Sequence, residues 1–212
     1  MMLYLHGYPI IEWVFRRLKQ SKLIDQIIFA LPNTERDDVL ELYLESIGSP
    51  VYRGSEKDLV DRFYKTAKSV SSDHVVRVCA DNPLICASEI DRLIAFYEQE
   101  QCDYAYNHIP KANSYPDGLG AEICSMQLLE EIHQRAVTSE QREHLFNMIW
   151  DSQADYIIKT FDPPCELAYP DLKLDLDTMD DYKSLLEKPY RIDMSALEIV
   201  KTTLEHPVKP TI

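Results

Sequence analysis

The residues with the clearest chemical potential are acidic, and the first is Asp81. It ends the apolar run HVVRVCA (74–80) and is followed by Asn82 and Pro83. Ligands of open α/β sheets bind beyond the carboxyl ends of the strands, and a carboxylate leaving a buried strand stands at such a place. Its hard oxygens suit Mg²⁺, which takes one or two protein carboxylates together with phosphate oxygens. Asp-Asn-Pro is equally good turn chemistry, so capping of the turn before the next helix is the competing role. Asn82 shares the same exit and is a candidate substrate contact.

The second acidic feature is LKLDLDTMDDY (172–182). On a strand, Asp175 and Asp177 face one way, because side chains alternate. Two same-face carboxylates repel unless a cation or a basic side chain compensates them. Thr178 is placed to cap a following helix, with Asp180 and Asp181 in its first turn near the positive end of the helix dipole. Those two aspartates read as capping residues rather than ligands. A third feature, SYPDGLGAEICS (114–125), contains a Pro-Asp-Gly turn and offers Asp117 and Glu122 to the hydroxyls of a polar substrate. Candidate partners for an anionic group are Arg53, Arg62, Arg142 and His144, although the run Arg142-Glu143-His144 reads equally as a solvated helix face.

These residues need elements to hold them. Strand-like and helix-like segments alternate, the pattern of a parallel sheet covered by helices on both faces, and hence of a three-layer α/β fold. Pro9 is placed as a first helical residue, followed by a helix-period face of Ile10, Ile11, Val14, Phe15 and Leu18. Strands are expected at 25–31, 74–80, 102–107, 120–125, 154–161 and through the Leu-Asp alternation at 174–177. Helices are expected at 35–47 with Val39, Leu40, Leu44 and Ile47 inward, from Ser55 with Asp58 in a variant capping box, and from Ser88. Further helices are expected near 125–136, 139–149, 178–187 and 194–204.

Composition narrows the function classes. A net charge of −14 over 212 residues argues against general affinity for nucleic acid or an anionic membrane. A polyphosphate ligand would need a metal ion or locally placed basic groups. No apolar stretch approaches the ~20 residues of a spanning helix. The five cysteines form no CxxC pair, which points to a reducing cytoplasm rather than a disulfide framework or structural zinc. Cys79, inside an apolar strand pattern, reads as a small buried hydrophobe.

In order along the chain, GYPIIEWVFRRLKQSKLIDQIIFA, VYRGSEKDLVDRFYKTA, VVRVCADNPLI, SYPDGLGAEI, REHLF and LDLDTMDDY resemble the cytidylyltransferase-like proteins of polysaccharide biosynthesis. The resemblance runs from about residue 3 to about 190. It is nearest to the spore coat polysaccharide biosynthesis protein F group, relatives of the acylneuraminate cytidylyltransferases. It implies a nucleotide-diphospho-sugar transferase (Rossmann-like) fold with a mainly parallel central sheet, formed as one domain over 1–212. It also implies Mg²⁺-dependent transfer of CMP from CTP to an acidic sugar, for surface polysaccharide. In that family an aspartate ending the central strand helps hold metal and triphosphate, and Asp81 matches it. Leu176-Asp177-Thr178 matches the later aspartate motif, which places Asp177 ahead of Asp175. The segment 104–150 corresponds to the family's sugar-contact region and often its dimer interface, so a homodimer is expected.

The chain departs from the family pattern in three places. The family opens with a strand and a Gly/Arg/Lys loop around the phosphates, whereas this sequence opens at MMLYLHGYP, about where that loop would be over. Leu31 and Pro32 stand where relatives carry Ser, Thr or Asp, and Gly120 replaces a common acidic residue. Three readings follow: a cytidylyltransferase whose start lies upstream, a catalytically degenerate relative acting as a binding or regulatory protein, or a sugar-nucleotide-dependent glycosyltransferase suggested by the D-x-D.

Overall fold

The computed structural model describes residues 1–206. Its elements in chain order are β1 (Tyr4–Leu5), β2 (Tyr8–Pro9), α1 (Ile10–Leu18), β3 (Phe29–Pro32), α2 (Asp38–Ser46), β4 (Val51–Gly54), α3 (Leu59–Ser69) and β5 (His74–Arg77). They continue with α4 (Ala87–Gln99), β6 (Tyr104–Tyr106), β7 (Glu122–Ser125), α5 (Met126–Arg135), α6 (Ser139–Glu143), α7 (Asn147–Asp151), β8 (Ile158–Thr160), α8 (Met179–Glu187) and α9 (Ala196–Glu205).

β3 and β4 pair in parallel. A second sheet has the order β5-β7-β6-β8, in which β6 and β8 are parallel while β7 runs antiparallel to both of its neighbours. Alternation along these strands separates the layers. Tyr104, Tyr106 and Cys124 pack with α3, α5 and α7, while Ala105 and Ile123 pack with α1 and α4. Burial of each large apolar side chain contributes roughly 2 kcal/mol, so both faces are strongly driven to be covered. α1 sits between clusters. Ile11 and Phe15 meet β3, Val14 and Leu18 meet α4, and Ile10 and Trp13 meet the carboxyl-terminal helices. No helix among the described residues is long and apolar enough to cross a membrane.

Several boundaries differ from the sequence expectation. Pro9 belongs to β2 and is the N-cap of α1, because the His6-Gly7 turn, with positive φ at both residues, folds it into a hairpin. β3 begins at Phe29 rather than residue 25, and β5 ends at Arg77 rather than 80. Asp58, not Ser55, caps α3 by accepting from the Asp61 amide at 2.8 Å. Ser88 lies inside α4, whose N-cap is Cys86. Val39 faces solvent while Leu44 is fully buried. The helix expected at 139–149 is two short helices, parted where Leu145 and Phe146 turn into the core. Thr178 caps α8 as expected, and Asp181 returns the bond to complete a capping box.

Candidate functional site

Asp81 follows β5 in a tight turn, in which the Asn82 amide donates to the Cys79 carbonyl at 3.2 Å and the Ile85 amide to the Asn82 carbonyl at 3.1 Å. Asn82 is buried in this turn. The Asp81 carbonyl also accepts from the Leu176 amide at 2.9 Å, so the late acidic segment is tied to the strand exit. The same segment is tied to the Pro-Asp-Gly turn. The Asp117 amide donates to the Leu172 carbonyl, and the Leu174 amide to the Asp117 carbonyl, each at 3.0 Å. Residues 172–176 therefore thread between two loops instead of forming the expected strand, making a single parallel bridge from Lys173 to Asp117. Gly118 is required here. Its φ is +90°, and a Cβ at this position would come within 2.7 Å of the Asp175 amide nitrogen.

Asp81, Asp117, Asp175 and Asp177 thus converge on one site. Burial raises the pKa of Asp81, with the charge of Asp177 adding to it. Burial also raises Asp117. Asp175 is pushed up to about 6 by burial and then by Asp117, and its Oδ1 is buried without a hydrogen-bond partner. Part of the expected repulsion is met by Lys173, whose Nζ lies 2.7 Å from Asp177, 3.5 Å from Asp181 and 3.8 Å from Asp175. Its pKa is raised, first by the hydrogen bond to Asp177. The one ammonium leaves Asp81 and Asp175 short of positive charge.

That deficit fits a divalent cation. Among the described residues no group of three or more His, Cys, Asp or Glu is arranged to hold a metal alone. The site offers a partial carboxylate set of the kind Mg²⁺ completes with phosphate oxygens and water.

Glu122 is placed differently from its expected role. It is 4% exposed and faces Arg77 across the β5–β7 ladder. Its Oε1 lies 2.7 Å from Arg77 Nη1 and 2.8 Å from His108 Nε2. Burial alone would raise its pKa, but the His108 hydrogen bond and the Arg77 charge bring it below the usual range. Glu122 is a buried counter-ion, not a free partner for substrate hydroxyls.

The expected basic partners are not brought to the carboxylates. Arg53 is held by Glu41 at 2.5 Å, Asp38 at 2.9 Å and the Thr34 carbonyl at 2.7 Å. Arg142 donates to the Ala136 and His133 carbonyls at 2.9 Å each and reaches Asp58 at 3.4 Å. His144 is exposed at the end of α6. Arg62 is buried beside the Ser55 carbonyl, to which it donates. The Cys79 thiol is pushed up to about 11 by burial, which keeps it protonated and unreactive.

The chain matches the cytidylyltransferase family over residues 1–182. It belongs to that family. An uncharacterized protein of Methanocaldococcus jannaschii is 32% identical over 90% of this chain and 76% of its own length. The spore coat polysaccharide biosynthesis protein SpsF of Bacillus subtilis is 28% identical over 93% of this chain and 84% of its own. A 3-deoxy-manno-octulosonate cytidylyltransferase of Bdellovibrio bacteriovorus is 32% identical over 48% of this chain and 40% of its own. A solved cytidylyltransferase of Leptospira borgpetersenii superposes with a TM-score of 0.87 at 24% identity, covering 96% of this chain and 86% of that one. The fold is therefore the Rossmann-like nucleotidyltransferase fold.

Lys173, Arg77 and His108 were not singled out from the sequence. Lys173 had a readable signal, since it precedes Asp177 by four residues in an otherwise acidic run. Gly120 also gains a reason, because a Cβ there would fall 2.2 Å from Asn107 Oδ1. Asn107 is fully buried, accepting from the Ala121 amide and donating to the Glu89 carbonyl, each at 2.9 Å.

Proposed function

We propose that this chain transfers CMP from CTP to a hydroxyl of an acidic sugar, releasing pyrophosphate, in the synthesis of a surface polysaccharide. The observation that carries this reading is the convergence of Asp81, Asp175 and Asp177 at the exit of β5, where the one ammonium of Lys173 is taken up by Asp177 and leaves Asp81 and Asp175 short of positive charge. Membership of the cytidylyltransferase family supports the nucleotide, and the names of the relatives support a sugar acid and a polysaccharide context.

Asp81 and Asp177 would hold Mg²⁺. The ion would supply neutralisation of charge on the triphosphate as the sugar oxygen bonds to the α-phosphorus and the bond to the leaving pyrophosphate breaks. The chain itself orients and positions. The Asp81 turn, tied to Leu176, fixes the two carboxylates against each other, and Lys173 offers a single positive charge beside them. Asp117 and the buried His108–Glu122–Arg77 group form the adjoining wall. The fold acts as a single domain, with 104–150 contributing sugar contacts and the face of a homodimer.

The test is pyrophosphate release from CTP with a panel of sugar acids, with and without Mg²⁺. Release that needs both the sugar acid and Mg²⁺ supports the reading. Turnover of UDP-sugars in place of CTP, or no turnover of any nucleotide, defeats it.

A further inference from the structure

Among the described residues, Lys173 makes the ion pairs of the acidic site, and it is held differently from the other basic groups around it. Arg77 and His108 are bonded to the buried Glu122, and Arg53 to Glu41 and Asp38. The backbone of Lys173 is fixed as well. It bridges to Asp117, between the bonds that join Asp117 to the Leu172 carbonyl and the Leu174 amide.

The ammonium of Lys173 is not fixed in that way. It donates to Asp177 Oδ2 at 2.7 Å and lies farther from Asp181, at 3.5 Å, and Asp175, at 3.8 Å. The Asp181 oxygen is already engaged in capping α8, where it accepts from the Thr178 amide at 2.7 Å and the Thr178 hydroxyl at 2.8 Å. The ammonium therefore hangs chiefly on one bond to Asp177. Both side chains of that pair are exposed, and exposed ion pairs are weak enough to exchange with ions from solution. The flexible four-carbon stem lets the charge swing while the backbone stays in place.

An ammonium and a divalent cation repel strongly when both sit at bonding distance from one carboxylate. We propose that Lys173 is the resident counter-ion of the site: its ammonium occupies the place on Asp177 that a divalent ion takes, and it moves to the triphosphate when that ion binds. This rests on the reading of Asp81 and Asp177 as metal ligands, and it assigns the neighbouring lysine a role of its own. Without metal, the ammonium relieves repulsion among the aspartates. With metal and nucleotide, it supplies positive charge to the phosphates, which Arg53 and Arg142, held elsewhere, do not. Only ion pairs are exchanged, and no proton moves.

The test measures two affinities. Electron paramagnetic resonance of free Mn²⁺, standing in for Mg²⁺, reports cation binding without nucleotide, and calorimetry reports CTP binding in saturating Mg²⁺. Lys173→Met keeps much of the stem and removes the charge. It should bind Mn²⁺ about tenfold more tightly than the unaltered chain and CTP about tenfold more weakly, opposite shifts that a merely structural lysine would not produce. Lys173→Gln should do the same and covers a failure of the first variant to fold, while Lys173→Arg, which keeps the charge, should tighten Mn²⁺ far less. Lys183→Met removes an ammonium paired with Asp180 instead and should move neither affinity. In an Asp177→Asn background, loss of the Lys173 charge should no longer tighten Mn²⁺. Mn²⁺ bound no more tightly by the folded charge-removing variants, or CTP bound no more weakly, would overturn this proposal alone. Tightening that persists without Asp177, or that Lys183→Met matches, would do the same. Mn²⁺ or CTP bound by none of these chains would overturn it together with the metal–nucleotide reading of the site.

Discussion

Glu122 and Asp175 are both carboxylates in the wall of one site, yet their charges are held in opposite ways. Glu122 is buried between Arg77 and His108, and these partners bring its pKa below the usual range. Asp175 is less deeply buried, but its neighbours include Asp117 and Asp177, and its pKa rises to about 6, although each carboxylate keeps one buried oxygen without a hydrogen-bond partner. A carboxylate whose partners are built into the fold is part of the framework. A carboxylate left short of charge in a half-open site awaits a ligand that brings it. The contrast separates scaffold from site more sharply than burial does.

The largest expected effect is on the undercompensated side. Asp81→Asn should lower kcat for pyrophosphate release roughly a thousandfold, about 4 kcal/mol of transition-state stabilisation, with little change in the unfolding midpoint. Steady-state kinetics beside a melt would check both halves, and an equal loss of fold would place Asp81 on the framework side. Next comes Glu122→Ala, which leaves Arg77 and His108 facing an empty buried position and should cost about 3 kcal/mol of stability in urea unfolding. A loss of activity with unchanged stability would instead assign Glu122 to the substrate.

The smallest effect concerns pH. Because Asp175 has a raised pKa in the folded chain, the folded state binds more protons than the unfolded state between the ordinary carboxylate range and about pH 6. This group's contribution to stability therefore falls as pH rises through that window. Asp175→Asn should raise the melting temperature at pH 7.5 and leave it unchanged near pH 3. A stabilisation of the same size at both pH values would show that the ionised form is not what costs.

Much of the frame was legible. The helix-period face of α1, the exit at Asp81 and the cap at Thr178 each depend on residues close in sequence, where spacing alone carries the physics. The Glu122 role was not legible. It depends on the register that sets Arg77 opposite Glu122, and on β7 entering antiparallel between β5 and β6. Arg53 and Arg142 are paired elsewhere for a related reason: an arginine answers whichever carboxylates and carbonyls folding brings near, and α2 and α5 supplied them. The same-face placement of Asp175 and Asp177 implied a compensating cation, and Lys173 proved to be half of the answer. The strand expected through 174–177 did not form because its amides are taken by Asp81 and Asp117.

The central claim is that the carboxylates around Asp81 form a cation-dependent triphosphate site. Titration calorimetry with CTP, in Mg²⁺ and in EDTA, tests it directly on the unaltered chain and on Asp81→Asn and Asp177→Asn. The account predicts binding in Mg²⁺ alone, abolished in both variants. Binding of equal strength in EDTA, or binding undiminished by either substitution, would contradict it.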